Sequence, residues 1–108
     1  MSQEELKLKV LQALEKNPNV SQRELANKLG VSLGGVNYCL KALVQVGMIK
    51  AGNFTRNPDK RVYAYLLTPK GVAEKANLTA SFLRRKLVEY EALKAEIAAL
   101  ESELDSLL

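Results

Sequence analysis

A mainly α-helical chain carrying one small β-hairpin, an α+β fold, is predicted by three observations. Ser2, Ser21 and Ser32 each stand at the head of an apolar-periodic run, the position from which a side-chain oxygen caps a helix. Two short extended segments, 48–54 and 61–67, flank a polar turn. After Pro69 no further proline interrupts the chain to residue 108, and a helical apolar period persists nearly to the end.

Each element can be justified in order. Ser2 with Glu5 is a capping box, the Leu6, Val10, Leu11 and Leu14 stripe follows, and Asn17, Pro18 and Asn19 stop the helix, so the first helix spans 3–16. Ser21 with Glu24 repeats the box, stapled by Val20 and Leu25, for a second helix over 22–29. Gly30 stands where a left-handed residue closes a helix. Ser32 opens the third helix, 33–46, with Val36, Leu40, Leu43 and Val44 inward and Asn37, Tyr38, Lys41 and Gln45 outward. Residues 55–60 have the turn chemistry of a hairpin loop. In the second strand, the row of Tyr63, Tyr65 and Leu67 is expected to face inward. Thr68 and Pro69 then form a cap and first-turn pair, starting a helix of nearly 40 residues. At 1.5 Å per residue it would be roughly 60 Å long, more than a small body can cover. Asn77 and Thr79 mark a possible bend within it. The expected division is a domain at 1–68 and a helix at 69–108.

Composition narrows the function. With 108 residues, 47% of them hydrophobic and 26% charged, one folded domain with a single core is expected. No apolar run approaches the roughly 20 residues that span a bilayer, and the first ten residues carry no leader pattern, so a cytoplasmic protein without membrane contact is expected. There is no His and one Cys, Cys39, which removes His-based metal sites, Ser-His and Cys-His nucleophile pairs and any intrachain disulfide. A protein that is not an enzyme, with no catalytic residues, no metal and no cofactor, is the expectation. Cys39, three residues after Val36 and four before Leu43, is assigned to packing rather than to redox sensing.

The net charge of +4 hides an uneven layout. Residues 88–108 hold one base, Lys94, against six acids, while residues 1–87 hold 15 bases against 6 acids, a balance of +9. Nothing between Glu24 and Asp59 is acidic, whereas Lys28, Lys41, Lys50 and Arg56 fall inside that gap. A polyanion approaching there meets no like charge.

Helix, helix, turn, helix, hairpin is the order of a winged helix-turn-helix, which sets its second motif helix in the major groove and its hairpin against the flanking groove. The third helix begins Leu33, Gly34, Gly35, and glycine there costs about 1 kcal/mol against alanine. Close backbone approach to phosphate at the Ser32 helix start would compensate; relief of crowding between the two motif helices is the alternative. Asn37 suits an adenine edge, Lys41 guanine or phosphate, and Tyr38 sugar or a thymine methyl. Gln22 and Arg23 are placed to clamp backbone phosphates, and Arg56, Lys60 and Arg61 make a cationic wing tip for the minor groove, with Asp59 shaping the loop.

Asp59 and Arg61 in the wing, followed by Leu67, Thr68 and Gly71, resemble the Asp-x-Arg and Leu-Thr-x-x-Gly pattern of MarR-type winged-helix transcriptional regulators, and the segment from Ser21 to Ile49 is similar to their helix-turn-helix. The resemblance covers residues 5–75. The run SQRELANKLGVSLGGVNYCLKAL further resembles a small subgroup associated with exopolysaccharide gene clusters. What the resemblance implies is a homodimeric binder of double-stranded DNA. The sequence departs from the family in one respect. Typical members carry an additional N-terminal helix that helps build the dimer domain and its effector pocket, whereas the first helix here already belongs to the DNA-binding domain. No small-molecule effector is therefore expected.

Tyr90, Leu93, Ile97, Leu100, Leu104 and Leu107 alternate spacings of three and four, the seam of a coiled coil, and the simplest partner is a second copy of the same helix. A helix folded back on its own domain is the competing arrangement. Flanking charges leave parallel and antiparallel pairing open. The functional alternative to a DNA-binding regulator is a winged-helix module that binds protein through the same surface, with the coiled coil as an oligomerisation tail.

Overall fold

The three serine caps form as expected and fix where the first three helices begin. The Oγ atoms of Ser2, Ser21 and Ser32 accept hydrogen bonds from the backbone N–H groups of Glu5, Glu24 and Gly35 at 3.1, 3.0 and 3.0 Å. Each such cap contributes about 1 kcal/mol. In this computed structural model, which describes residues 1–52 and 64–108, they start α1 (Gln3–Lys16), α2 (Gln22–Leu29) and α3 (Leu33–Gln45). Gly30 takes the left-handed conformation at φ 69°, which lets α2 close and the chain turn into α3 within three residues. Val46 caps α3, one residue short of the expected end.

Strands β1 (Ile49–Gly52) and β2 (Ala64–Leu67) pair antiparallel, with Ile49 opposite Leu67 and Gly52 opposite Ala64. β1 begins one residue after the expected start at 48, and the loop-side ends of both expected segments lie outside the described residues. The Tyr65 N–H donates to the Pro18 carbonyl oxygen at 3.0 Å, tying β2 to the α1–α2 connection. Leu11, Leu14, Leu25, Ile49, Val10 and Val36 are the largest fully buried side chains, so all three helices and β1 meet in one core.

Two inward assignments need correction. Val44 is 40% exposed, because its neighbour Leu43 already takes the inward place above Leu40. The second strand does not present one clean row: Tyr65 and Leu67 are half-buried while Ala64, on the opposite parity, is buried. A four-residue strand flanked by the Pro18 segment on one edge and β1 on the other has neighbours on both sides, so simple alternation gives way. Tyr63 lies outside the described residues.

Pro69 begins α4 (Pro69–Leu107), which is helical without a break through Asn77 and Thr79. Its first turn is held closely. The Thr68 N–H donates to the Met48 carbonyl oxygen at 3.0 Å, the Thr68 hydroxyl donates to the Gly47 carbonyl oxygen, and the Lys70 ammonium donates to the Val46 carbonyl oxygen at 2.8 Å. The Gly71 N–H donates back to the Thr68 hydroxyl at 3.1 Å. A Cβ on Gly71 would lie 1.9 Å from the Met48 carbonyl oxygen, so only glycine allows this approach. Thr68 and Gly71 of the Leu-Thr-x-x-Gly pattern thus have a structural reason: Thr68, with Lys70, satisfies carbonyls left open where α3 ends, and Gly71 leaves room for the Met48 carbonyl. Lys75 adds an ion pair to Glu15 at 2.7 Å.

Compact contacts divide the chain into residues 1–78 and residues 79–108, so the first turns of α4 belong with the body. The second unit is a helix on which every residue is exposed except the half-buried Ser81 and Phe82.

Candidate nucleic-acid interface

The helix start at Ser32 sets the geometry. Its hydroxyl engages the Gly35 N–H, and a Cβ on Gly35 would come within 3.1 Å of that same oxygen, so Gly35 is explained by its own cap. A Cβ on Gly34 would meet nothing within 4 Å. Crowding against α2 therefore accounts for neither glycine. Gly34 is a helical glycine, costing about 1 kcal/mol, for which the fold supplies no return. With Gly35 engaged by its cap, the Leu33 and Gly34 N–H groups make no hydrogen bond among the described residues. They point from the positive end of the helix dipole.

Along the outer face of α3, Tyr38 is 76% exposed and Lys41 is exposed, both facing solvent as expected. Asn37 differs. It is half-buried, and its Nδ2 donates to Gln22 Oε1 at 3.1 Å; Gln22 Nε2 in turn donates to the Tyr65 hydroxyl at 3.2 Å. Gln22, placed by sequence as a phosphate clamp, is thus drawn into a relay joining α2, α3 and β2. Its neighbour Arg23 is exposed. Arg56, Lys60 and Arg61 of the wing tip, with Asp59, lie outside the described residues.

The relay lines one side of a cleft of about 330 Å³, completed by Leu40, Lys41, Val44, Gln45 and Ala51. Tyr65, Val44 and Ala51 were missed as site residues by sequence reasoning. Strand periodicity assigns Tyr65 to the core, and only the register with Ala51 brings its phenol to the face that carries Asn37. The signal available in advance was weak: a polar-tipped aromatic in a strand row that also held Tyr63 and Leu67. Among the described residues no acid lines this cleft.

Cys39 is half-buried on α3, and burial pushes its thiol up from the ordinary value against a smaller opposing pull from Lys7. That is the environment of a packed thiol rather than of an activated one. Among the described residues no group of three or more His, Cys, Asp or Glu could hold a metal ion, and no helix is long and apolar enough to cross a membrane.

Helix-turn-helix geometry, a paired hairpin and a helix N-terminus with an open glycine now stand together, and residues 3–50 match the family of winged helix-turn-helix DNA-binding segments. The chain has the winged helix-turn-helix fold of the MarR-type regulators. The PcaV transcriptional regulator from Streptomyces coelicolor, seen with its natural ligand, superposes with a TM-score of 0.70 at 24% identity over 91% of this chain and 68% of its own. YusO from Bacillus subtilis is 26% identical over 95% of this chain and 74% of its own, with a TM-score of 0.61. A MarR/EmrR family transcriptional regulator from Acinetobacter sp. ADP1 gives 0.61 at 19% identity over 93% and 75%. No curated protein matches the chain significantly in sequence.

Proposed function

We propose that this winged helix-turn-helix protein is a MarR-type DNA-binding transcription regulator, acting in the cytoplasm as a homodimer on double-stranded DNA and catalysing no reaction. Helix α3 enters the major groove, and the wing, with Arg56, Lys60 and Arg61 at its tip, enters the minor groove. The observation that carries this reading is Gly34: an exposed helical glycine with open space around it, beside uncapped N–H groups, on a face bearing Tyr38 and Lys41 and, among the described residues, no carboxylate. A phosphate fits those donors and that charge. A module built to bind protein would more often present a continuous apolar patch. On α3 the exposed Leu33, Tyr38 and Val44 are instead interleaved with Ser32, Gly34, Lys41 and Gln45.

Dimerisation falls to the distal part of α4. Tyr90, Leu93, Ile97, Leu100, Leu104 and Leu107 are between 45% and 76% exposed, and a second copy would cover them. Lys94 pairs with Glu91 at 4.0 Å and sits 5.4 Å from the centre of the Tyr90 ring, so within its own helix it already has partners, and it need not set the direction of pairing. The expectation that no small molecule controls the protein finds no support, since PcaV, of the same fold, is seen in complex with its natural ligand.

Duplex binding followed across salt concentration tests the reading. Affinity should fall steeply as phosphate contacts release counterions. Lys41→Ala and Asn37→Ala should alter base preference in a selection from random duplexes, whereas Arg23→Ala should weaken all duplexes comparably. Absence of duplex binding at low salt would remove the proposal.

A further inference from the structure

The relay from Asn37 through Gln22 to Tyr65 has a direction, and the direction has a consequence for what Asn37 presents. Asn37 Nδ2 gives one hydrogen to Gln22 Oε1, and Gln22 Nε2 gives one to the Tyr65 oxygen. The outward edge of the Asn37 amide is therefore its carbonyl oxygen together with its second N–H. That acceptor-donor pair complements the N6 donor and N7 acceptor of adenine. If the chain ran the other way, Gln22 Nε2 would donate to Asn37 Oδ1 and the outward group would be a bare NH2, which suits the two acceptors of guanine as well. In the structure the Tyr65 hydroxyl accepts, which belongs to the first of the two directions. While it accepts from Gln22, its own hydrogen is left to donate outward, and a phosphate oxygen, which can only accept, would hold it in that state. The phenol is itself held in place, since the Tyr65 N–H donates to Pro18 and the residue sits opposite Ala51 in the sheet.

We infer that Gln22 and Tyr65 are positioning residues that orient the Asn37 amide to read adenine, so that a base preference delivered by α3 is set from α2 and β2. The inference rests on the DNA-binding reading above and adds to it a specificity determinant outside the recognition helix. It makes the three residues one unit, which is expected to behave non-additively.

Selection from random duplexes with the protein, four single variants and two double variants tests it. The wild type should select a site with one adenine that Asn37→Ala no longer requires, favoured over guanine by about tenfold or more. Tyr65→Phe, which keeps the ring but removes the acceptor, and Gln22→Leu should each relax that position to either purine, with discrimination falling to within about twofold. Neither change should further alter base preference in an Asn37→Ala background. Gln22→Glu offers acceptors only, so Asn37 must still donate to it; adenine preference should survive while affinity for every duplex falls with the added negative charge. Should Tyr65→Phe melt, the Gln22→Leu and Gln22→Glu pair decides by the same criterion. A base other than adenine at the Asn37-dependent position would overturn the inference, as would unchanged preference in Tyr65→Phe and Gln22→Leu. Failure of the wild type to select any sequence would instead overturn the DNA-binding reading.

Discussion

Residues 1–78 and residues 79–108 handle apolar side chains in opposite ways. In the first unit, Leu11, Leu14, Leu25, Val36 and Ile49 are almost wholly removed from water. In the second, no residue is buried, and Leu93, Ile97, Leu100 and Leu104 are each about half exposed. Three helices and a hairpin can enclose a core because their inner faces converge. A single helix has nothing to converge upon, and an isolated helix is only marginally stable in water, so a sustained apolar stripe on one implies a surface still to be covered. The first unit encloses its own core; the second is proposed to supply one side of an interface.

That contrast can be broken most sharply at the seam. Replacing Ile97 and Leu100 together by Glu should yield monomers whose first unit still melts cooperatively. Duplex affinity should drop by about 100-fold as the linked second half-site is lost. Sedimentation and binding of the double variant decide it, and an unchanged dimer with unchanged affinity would place the interface elsewhere. The body should respond in the reverse manner. Gly71→Ala drives a methyl group into the Met48 carbonyl, and a cost of about 1–3 kcal/mol is expected in thermal unfolding, with the association of the distal helix untouched.

A smaller effect sharpens the distinction between stability and function inside the first unit. Gly34→Ala meets nothing within 4 Å and should raise stability by up to about 1 kcal/mol, while weakening duplex binding because the added methyl stands between helix and phosphate. A variant gaining both stability and affinity would show that Gly34 has no part in binding. The smallest effect belongs to Cys39. Burial raises its thiol, so its contribution to stability is fully present below the unfolded thiol's value and is lost as pH rises through the folded one. Alkylation in the folded protein should accordingly be several-fold slower than in denaturant near neutral pH and should accelerate only above the ordinary thiol range. Fast modification at neutral pH would reopen a redox role.

Much of the architecture was legible in the order of residues because the devices that set it are local. A serine oxygen caps the N–H three residues on, Gly30 closes a helix it directly follows, and apolar spacing within one helix defines its buried stripe, all without reference to the rest of the chain. The boundaries of α1 and α2 follow from that alone. Tertiary structure decided what depends on residues far apart. Val44 is turned outward because Leu43 and Leu40 fill the inner side. Gly71 matters because the Met48 carbonyl, 23 positions earlier, arrives against it. Tyr65 joins the outer face of α3 through Gln22, 43 positions away, and through it reaches Asn37. Short-range hydrogen bonding and periodicity are written into neighbouring residues, whereas the meeting of a strand's phenol with a helix's amide exists only once the core has brought β2 against α2 and α3.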